Sequence, residues 1–350
     1  MINNVSFLGI INRNRHFDGG RGTAANPYRI VKIRHFNNMR RYPTNTHYRF
    51  ENDIVFTDEF EEDGEYYNNG ALWIPISSFS GSIDGQGYKV ENIKSIYSTS
   101  YRGVLCNYAG SNTTIKNIYF KNVFIDRTST SIQMTGVVLA QGTSTFLIEG
   151  VFVDGYFRTG LRSGGIMARI GTVRRCATNL NHIVSEVSGG LIYDGAFNWV
   201  EDCYTRGNLS NAPNHIGGIH GTTFGARLRR CYTAQALSGS AFLRRALISF
   251  YDSGNPNGES YDCFWDINAT NATSTVNNST GLTVGLTTTQ SKYPYPEYNE
   301  SGDTAYSMWD FDEVWADDVD GTINNGYPYL RGVTPMPSEE FDYGFDFKLQ

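Results

Sequence analysis

A four-residue pattern of hydrophobic and polar positions recurs along the middle of the chain. Its first and last positions are apolar or cysteine, its second is charged or aromatic, and its third is small or polar. The copies lie at residues 90–93, 115–118, 148–151, 173–176, 200–203 and 228–231, with a degraded copy at 260–263. Their last positions follow one another at steps of 25, 33, 25, 27, 28 and 32 residues. Such a period predicts a repeat architecture.

A second marker, a glycine followed by small or apolar residues, alternates with this pattern. It lies at residues 103–105, 136–138, 164–166, 189–191 and 217–219. Each cycle therefore holds at least two short apolar strands joined by polar turns, and no stretch keeps a helical apolar period over three turns. The leucines and asparagine ladder of leucine-rich repeats are absent, and propeller blades need longer repeats. We predict an all-β fold, a right-handed parallel β-helix with one coil per repeat and successive coils about 4.8 Å apart.

The second position of the pattern alternates in charge through six copies. It reads Glu91, Lys116, Glu149, Arg174, Glu201 and Arg229. If the copies stack, each charge lies beside an opposite one, which contributes roughly 0.2–1 kcal/mol per pair. The paired arginines at 174–175 and 229–230 are then coil-to-coil ion pairs and not a basic patch.

Two further columns follow from the same register. Four of the five cysteines occupy one pattern position, at 176, 203, 231 and 263, and we expect free, buried thiols because parallel side chains are too far apart for a disulfide. The next position is aromatic in five of six copies: Tyr119, Phe152, Tyr204, Tyr232 and Phe264. Side chains alternate across a strand, so this column should point outward as an apolar strip. It could pack against the chain itself or a second subunit, or bind a receptor or glycan directly.

Composition indicates which classes of partner such a rod could bind. Among 350 residues there are 37 Gly, 23 Tyr and 21 Phe, which suits β-structure with many tight turns. Charged residues make up 18% and the net charge is −6, so nucleic-acid binding is not expected. The first residues, MINNVSFLGIINRNRHF, lack a basic segment and a long apolar run, so we expect no Sec signal peptide, and no segment is long enough for a membrane span.

Several segments together resemble the GLUG-motif surface proteins of bacteria and phages. They are the glycine marker followed by Cys-Tyr-Thr at 203–205 and 231–233, FDGG at 17–20, NPYRI at 26–30, WIPI at 73–76, FSGSIDGQGY at 79–88, GLTT at 285–288, WDF at 309–311 and NGYPYL at 325–330. The resemblance implies a right-handed parallel β-helix in adhesins, surface proteins or phage tail proteins. Some bacterial relatives carry a zinc peptidase domain, but this sequence has no His-Glu-x-x-His. The expected absence of a signal peptide fits a virion component better than a bacterial surface protein.

The sequence offers few candidates for catalysis or metal binding. No nucleophile elbow or Ser-His-Asp triad can be located among its six histidines. His215 and His220 could form a metal pair, although solvated turn histidines without a third ligand fit better. Residues 317–321 (DDVDG) resemble a calcium loop but lack its first and last ligands, which predicts a solvated acidic turn. We expect no cofactor and no metal.

Carboxylates on loops are the remaining catalytic option. Glycan-cleaving β-helices need a pair of them, and Asp154, Asp194 and Asp252 could converge. We therefore keep a glycan depolymerase as an alternative, while favouring a protein that is not an enzyme.

The ends of the chain differ from its repeats. We predict an N-terminal arm at 1–16, a cap segment at 17–72, the coils at 73–267, an irregular excursion and cap at 268–332, and a tail at 333–350. The arm and the tail could hold other virion proteins or subunits of the same kind. The favoured hypothesis is a phage tail or fibre module that binds a host receptor or glycan; a structural virion scaffold and a secreted bacterial surface protein remain alternatives.

Overall fold

A computed structural model gives the structure of most of the chain. It describes residues 16–96, 103–126, 134–195, 199–210, 215–222, 227–239, 243–249, 259–272, 279–280, 283–292 and 306–336. Short strands dominate these ranges, and the longest α-helix has 6 residues. None of the helices in these ranges is long and apolar enough to cross a membrane.

Up to residue 158, the described part of the chain holds twelve strands and one α-helix. The strands are β1 (Tyr28–Ile30), β2 (Thr46–Phe50), β3 (Ile54–Val55), β4 (Ile76–Phe79), β5 (Gly81–Asp84), β6 (Lys89–Glu91), β7 (Lys94–Ser95), β8 (Cys106–Ala109), β9 (Thr114–Asp126), β10 (Thr135–Gly136), β11 (Leu139–Gln141) and β12 (Leu147–Arg158). The helix α1 (Ile33–Asn38) continues into a 3₁₀ turn (Met39–Arg41), and a second 3₁₀ turn lies at Asn68–Gly70.

From residue 162 onward, the described part of the chain continues with short strands. They are β13 (Arg162–Gly164), β14 (Met167–Arg169), β15 (Thr172–Arg174), β16 (Ala177–Ile183), β17 (Val187–Gly189), β18 (Ile192–Asp194), β19 (Trp199–Glu201), β20 (Tyr204–Ser210), β21 (His215–Gly217), β22 (His220–Thr222), β23 (Arg227–Arg229), β24 (Tyr232–Thr233), β25 (Ala236–Leu237), β26 (Leu243–Arg245), β27 (Glu259–Tyr261), β28 (Phe264–Asp266), β29 (Ser279–Thr280), β30 (Val284–Leu286), β31 (Trp315–Ala316) and β32 (Tyr329–Leu330). Two short helices are α2 (Ile267–Thr270) and α3 (Thr288–Ser291).

The strands stack in parallel as a β-solenoid, which confirms the predicted fold. One sheet has 19 strands, a second has 6 (β4, β8, β11, β14, β18, β22) and a third has 5 (β10, β13, β17, β21, β26). The long strand β9 shows how one coil bends through the large sheet, because it pairs successively with β5, β6 and β7. Strands β31 and β32 pair antiparallel and lie outside the coils, and two isolated antiparallel bridges join Thr23 to Asn26 and Leu72 to Ser95.

The third position of the sequence pattern forms a corner of the coil. Its residues all have positive φ, between 47° and 65°: Asn92, Asn117, Gly150, Arg175, Asp202, Arg230 and Asp262. Asparagine, aspartate and glycine tolerate this left-handed conformation best, which explains why the position is small or polar. The apolar residues on either side then point into the core.

The glycine marker forms a second, tighter corner. A Cβ on Gly189 would lie 1.9 Å from the carbonyl oxygen of Ile192, and the equivalent positions in neighbouring coils are equally crowded. The chain passes here from the five-stranded sheet to the six-stranded one. Only glycine fits, so the marker recurs for steric reasons.

The charge column is present, with one correction to its membership. Strand pairing places the following residues side by side in successive coils: Lys116, Glu149, Arg174, Glu201 and Arg229. Glu91 was wrongly placed in this column, because β6 pairs with the next face of the coil and Glu91 lies beside Lys121. Asp84 takes its position, 3.1 Å from the Lys116 ammonium.

The paired arginines bind carboxylates on neighbouring coils, as predicted. Arg174 lies 3.2 Å from Glu201, and Arg175 lies 3.3 Å from Glu149. Arg230 contacts both Glu201, at 2.6 Å, and Asp202, at 2.7 Å. The contacts cross between coils and fix their register.

All five cysteines are buried and free, as predicted for the four in the column. The thiol of Cys176 points to the carbonyl oxygen of Arg174 at 3.1 Å, and Cys203 repeats this contact with Glu201 at 3.2 Å. Burial raises the pKa of the fifth thiol, Cys106, to about 12.

The coils extend beyond both predicted boundaries. Parallel stacking already begins with β1 and β2, inside the segment 17–72 assigned to a cap. At the other end β29 and β30 continue the stack within residues 268–300, which carry no recognisable repeat marker. The predicted arm at 1–16 lies almost entirely outside the described residues, as does most of the tail at 333–350.

Candidate functional site

The aromatic column stacks as predicted but is not an exposed strip. Its members occupy matching positions in successive strands and lie outside the core of the coils: Tyr119, Phe152, Tyr204, Tyr232 and Phe264. Their exposed fractions are only 1–7%. The prediction of an open apolar binding surface at these residues was therefore wrong.

The C-terminal strap of the same chain, residues 306–334, covers the part of this column from Tyr204 to Phe264. Trp309, Trp315 and Tyr327 of the strap join the column in one buried cluster. The Tyr232 hydroxyl donates to the carbonyl oxygen of Pro328 at 2.8 Å, and the Tyr204 hydroxyl lies 2.9 Å from that of Thr334. Of the alternatives left open by the sequence, the structure selects packing of the chain on itself.

The acidic turn at 317–321 belongs to this strap and has a structural role. Asp318 is only 2% exposed, so the predicted solvated turn is wrong at this residue. Its carboxylate accepts backbone N–H bonds from Ile323, Asn324 and Gly326, at 3.0, 2.7 and 2.7 Å. These bonds hold the loop that presents Tyr327 to the column.

The histidines do not converge on a metal site. His215 is half-buried on β21, and His220 on β22 is only 1% exposed, which corrects its prediction as a solvated turn residue. In the ranges that the structure describes, no three side chains of His, Cys, Asp or Glu meet as metal ligands.

One buried serine–histidine contact lies inside the solenoid. The Ser163 hydroxyl is 2.8 Å from Nε2 of His182, whose ring stacks on Phe157 with a centroid distance of 4.5 Å. Burial lowers the pKa of His182 to about 3. Because both side chains are fully buried, the pair is part of the core and has no access to a substrate.

The predicted loop carboxylates are not brought together. Asp154 lies on β12 in the large sheet, and Asp194 lies on β18 in the six-stranded sheet, where it contacts Arg169 at 3.2 Å. Both are strand residues and are buried, contrary to the prediction of loops. Asp252 lies outside the described residues.

A groove lies on the outside of the coils. It has a volume of about 730 Å³ and follows the second bend of the large sheet across several coils. The floor of the groove is formed at Asn122, Gly155 and Gly207, which have positive φ and turn the strands outward. A Cβ on Gly155 would lie 2.3 Å from the carbonyl oxygen of Val123, so this bend requires glycine.

Aromatic and amide side chains line one wall of the groove. Strand pairing aligns Lys94, Phe124, Tyr156, Asn181 and Asn208 in successive coils. Phe124 and Tyr156 are half-buried, and their rings stack at a centroid distance of 5.3 Å and an angle of 16°. Asn181 and Asn208 are exposed.

The opposite wall carries charged and amide groups. Lys121, Asp154 and Asn179 line it, and Lys121 also contacts Glu91 at 3.3 Å. Burial raises the pKa of Asp154, although hydrogen bonds donated by the Tyr119 hydroxyl and the Asn122 backbone oppose that shift. Asp154 is the single carboxylate among the described residues that line the groove.

The sequence identified Asp154 as a candidate carboxylate, but it did not reveal the stacked aromatic wall of the groove in which Asp154 lies. The sequence signal is incomplete: three residues beyond Tyr119 and Phe152 the chain turns at Asn122 and Gly155, but the groove residue follows two positions after Asn122 and directly after Gly155. Strand pairing, which skips an extra residue at the bulge beside Asn122, collects Phe124, Tyr156, Asn181 and Asn208 into one column.

Comparisons with known proteins found a partial sequence match and a solved structure with a similar fold. No protein-family model matches the chain. Halomucin from Haloquadratum walsbyi (strain DSM 16790 / HBSQ001) is 26% identical over 156 residues, which is 43% of this chain. The chain spans only about 2% of the length of Halomucin.

A solved structure resembles the chain over nearly its full length. It is the 1.30 Å crystal structure of a Bacteroides ovatus protein to which immunoglobulin A1 protease activity has been ascribed, with a TM-score of 0.60 and 15% sequence identity. The match covers 90% of this chain and 95% of that one. At this identity the likeness shows a shared fold.

Proposed function

We propose that this chain is a non-enzymatic surface module that attaches to a receptor or glycan through the outside of its coils. The observation that carries the proposal is the open groove lined by stacked aromatic rings and exposed amides. Clefts with aromatic walls and a few convergent polar groups are the usual form of ligand sites. The rigid stacked strands hold these side chains in place, so little ordering is lost on binding.

The same proposal places the module on a phage particle, as part of a tail or fibre. The resemblance of residues 17–332 to GLUG-motif surface proteins supports this location. The N-terminal arm at 1–16 and the tail at 333–350 would then hold neighbouring virion proteins or further copies. A bacterial cell-surface protein is the alternative location for the same binding function.

Glycan cleavage is the second candidate function, and Asp154 is the observation that favours it. A groove carboxyl whose pKa is raised by burial could act as a general acid. Cleavage by the usual mechanism needs a second carboxylate, however, and both Asp154 oxygens already accept hydrogen bonds. These contacts favour a structural role for Asp154.

One assay with two readouts tests both functions. The purified, fluorescently labelled chain is incubated with a panel of bacteria that carry different surface polysaccharides, and retained fluorescence and newly formed reducing ends are measured. We expect retention on at least one strain without release of reducing ends. Release that disappears in a folded Asp154→Asn variant would replace binding by cleavage. Absence of retention on every strain, with the protein detected only inside purified particles, would instead identify a scaffold.

A further inference from the structure

We propose that residues 337–350, called the tail segment below, bind in the groove of the same chain as an internal ligand that a receptor or glycan must displace. This proposal rests on the proposed surface function and names how its site is regulated. Displacement by the external ligand would free the tail segment for neighbouring virion proteins. Three features carry the proposal: the place where the strap ends, the aromatic pattern of the tail segment, and the lining of the groove.

The strap ends beside one end of the groove. The Thr334 hydroxyl of the strap lies 2.9 Å from that of Tyr204 on β20. Asn208, four residues further along the same strand, lines the groove. Between these two strand residues, Arg206 donates to the carbonyl oxygen of Asn324 in the strap at 3.0 Å. The tail segment therefore begins close to this end of the groove.

The tail segment is long enough to span the groove. The wall of the groove runs from Lys94 to Asn208 through five paired strands, which gives four steps of about 4.8 Å, or about 19 Å in total. Residues 337–350 can reach up to about 46 Å when extended, at about 3.3 Å per residue. The tail segment can therefore cross from the strap into the groove and follow it over its whole length.

Aromatic residues occupy every second position in the middle of the tail segment. Residues 341–348 read FDYGFDFK, so that each ring is followed by a charged residue or a glycine. This period of two is typical of an extended strand that presents one apolar face. Side chains on one face of such a strand lie about 6.7 Å apart, so about three of the four rings fit within a groove of about 19 Å. An apolar face of this kind marks a contact surface.

The groove offers apolar groups and space for these rings. Its lining includes Val123, Leu180 and the half-buried ring of Phe124. The floor turns at Gly155 and Gly207, which carry no side chain, so the space above it can hold the side chains of another segment. Rings placed there can make offset or edge contacts with Phe124.

The charges of the groove favour an acidic segment at the end opposite the strap. The side chains of the tail segment comprise four carboxylates and one lysine, which gives a net charge of −3. Lys94 and Lys121 line the groove at that end. Lys94 is 37% exposed and lies 3.9 Å from the exposed Glu61, a surface pair that contributes little to stability. Lys94 can therefore pair with a carboxylate of the tail segment instead.

Photo-crosslinking in the full-length chain tests the contact. Phe345→p-benzoylphenylalanine is irradiated at low protein concentration, and the adducts of the monomer are mapped by mass spectrometry. We expect adducts at residues that line the groove, within 121–124 or 179–181. The same replacement at Val319, which is 75% exposed on the strap, is the matched control and should give no adduct there. Absence of groove adducts from position 345, groove adducts in covalent dimers alone, or equal groove labelling from position 319 would overturn the proposal.

Retention on cells tests the displacement of the tail segment by the external ligand. A variant with all four rings replaced (Phe341→Ser, Tyr343→Ser, Phe345→Ser and Phe347→Ser) should be retained about tenfold more strongly, because an occupied groove lowers the apparent affinity by its open fraction. Tyr108→Ala is the control and should be retained like the wild type. Tyr108 is an exposed strand tyrosine, 41% accessible, on the six-stranded sheet and outside the groove. Equal retention of the serine variant and the wild type would overturn the proposal.

The two readouts distinguish failure of this proposal from failure of the proposed function. If cells retain the wild type but position 345 gives no groove adduct, the tail segment is not the internal ligand, while surface attachment stands. If no strain retains either the wild type or the serine variant, the proposed surface function fails, and the regulation of its site fails with it, while groove adducts would still establish the contact of the tail segment.

Discussion

Replacing Trp315 by alanine should release the C-terminal strap from the aromatic column. The indole is fully buried and lies between the strap and the coils, 4.3 Å from Trp309 and 6.0 Å from Tyr232 between ring centroids. Its Nε1 also donates to Asp202 at 3.3 Å. Truncation of such a side chain leaves a large cavity, which costs about 3–5 kcal/mol.

The expected loss can be read from amide hydrogen exchange within the strap. The Arg331 amide donates to the carbonyl oxygen of Val314 at 3.0 Å and reports docking of the strap. A loss of about 3–5 kcal/mol lowers its protection by a factor of about one hundred to a few thousand. Amides of the coils away from the strap, such as that of Leu191, which donates to the carbonyl oxygen of Ile219, should keep their protection.

Val319→Ala provides the control in the same segment. Val319 is 75% exposed, so its truncation should leave exchange unchanged. Binding of a hydrophobic dye should rise in Trp315→Ala alone, because the column rings become accessible. Equal exchange in wild type and Trp315→Ala, or an equal effect of Val319→Ala, would refute the assignment of the strap as the cover of the column.

Three further predictions concern the interior and the charge column. The pKa of His182 is lowered to about 3, so the unfolded state binds a proton that the folded state does not bind as the pH falls below about 6.5. The unfolding free energy should therefore decrease by about 2 kcal/mol between pH 7 and pH 5. Urea unfolding at the two pH values should show this decrease in the wild type and not in His182→Gln. Glu201→Lys places like charges beside Arg174 and Arg230 and should lower the unfolding free energy by about 2 kcal/mol. Glu62→Lys makes the same charge change at an exposed residue and should have little effect. Equal effects of the two variants would contradict the charge column. All five thiols should resist a water-soluble thiol reagent at pH 8 and react only after denaturation, since each is buried; rapid labelling of the native chain would contradict the packing.

The repeat was predictable because its spacing reflects simple steric and electrostatic constraints. Each corner needs a positive φ or a glycine, and each strand needs apolar residues that point inward. Such requirements recur once per coil and leave a period in the sequence. From Lys116 to Arg229 the alternation of charge was sufficient to give the correct register.

The position of Glu91 could not be assigned from spacing because one coil carries the pattern twice. Strand β9 contains both Ile115–Ile118 and a second copy at 120–123, and the two lie on adjacent faces. A copy in the preceding coil can align with either. The structure pairs Glu91 with the second copy, at Lys121.

The sequence could not predict, for a different reason, that the C-terminal strap covers the aromatic column. Alternation along a strand shows that Tyr204 and Tyr232 point away from the coil core, but it contains no information about distant segments. The strap reaches them from about a hundred residues further along the chain, through contacts such as that between Tyr232 and Pro328. A long-range contact of this kind leaves no period in the sequence.

Retention on polysaccharide-bearing cells, compared for wild type, Tyr156→Ala and Tyr108→Ala, tests the central claim most directly. We propose that the open groove, and not the covered aromatic column, is the surface that attaches. Wild type and Tyr108→Ala should then be retained equally, whereas retention of Tyr156→Ala should fall by about tenfold. Equal retention of all three proteins would contradict it.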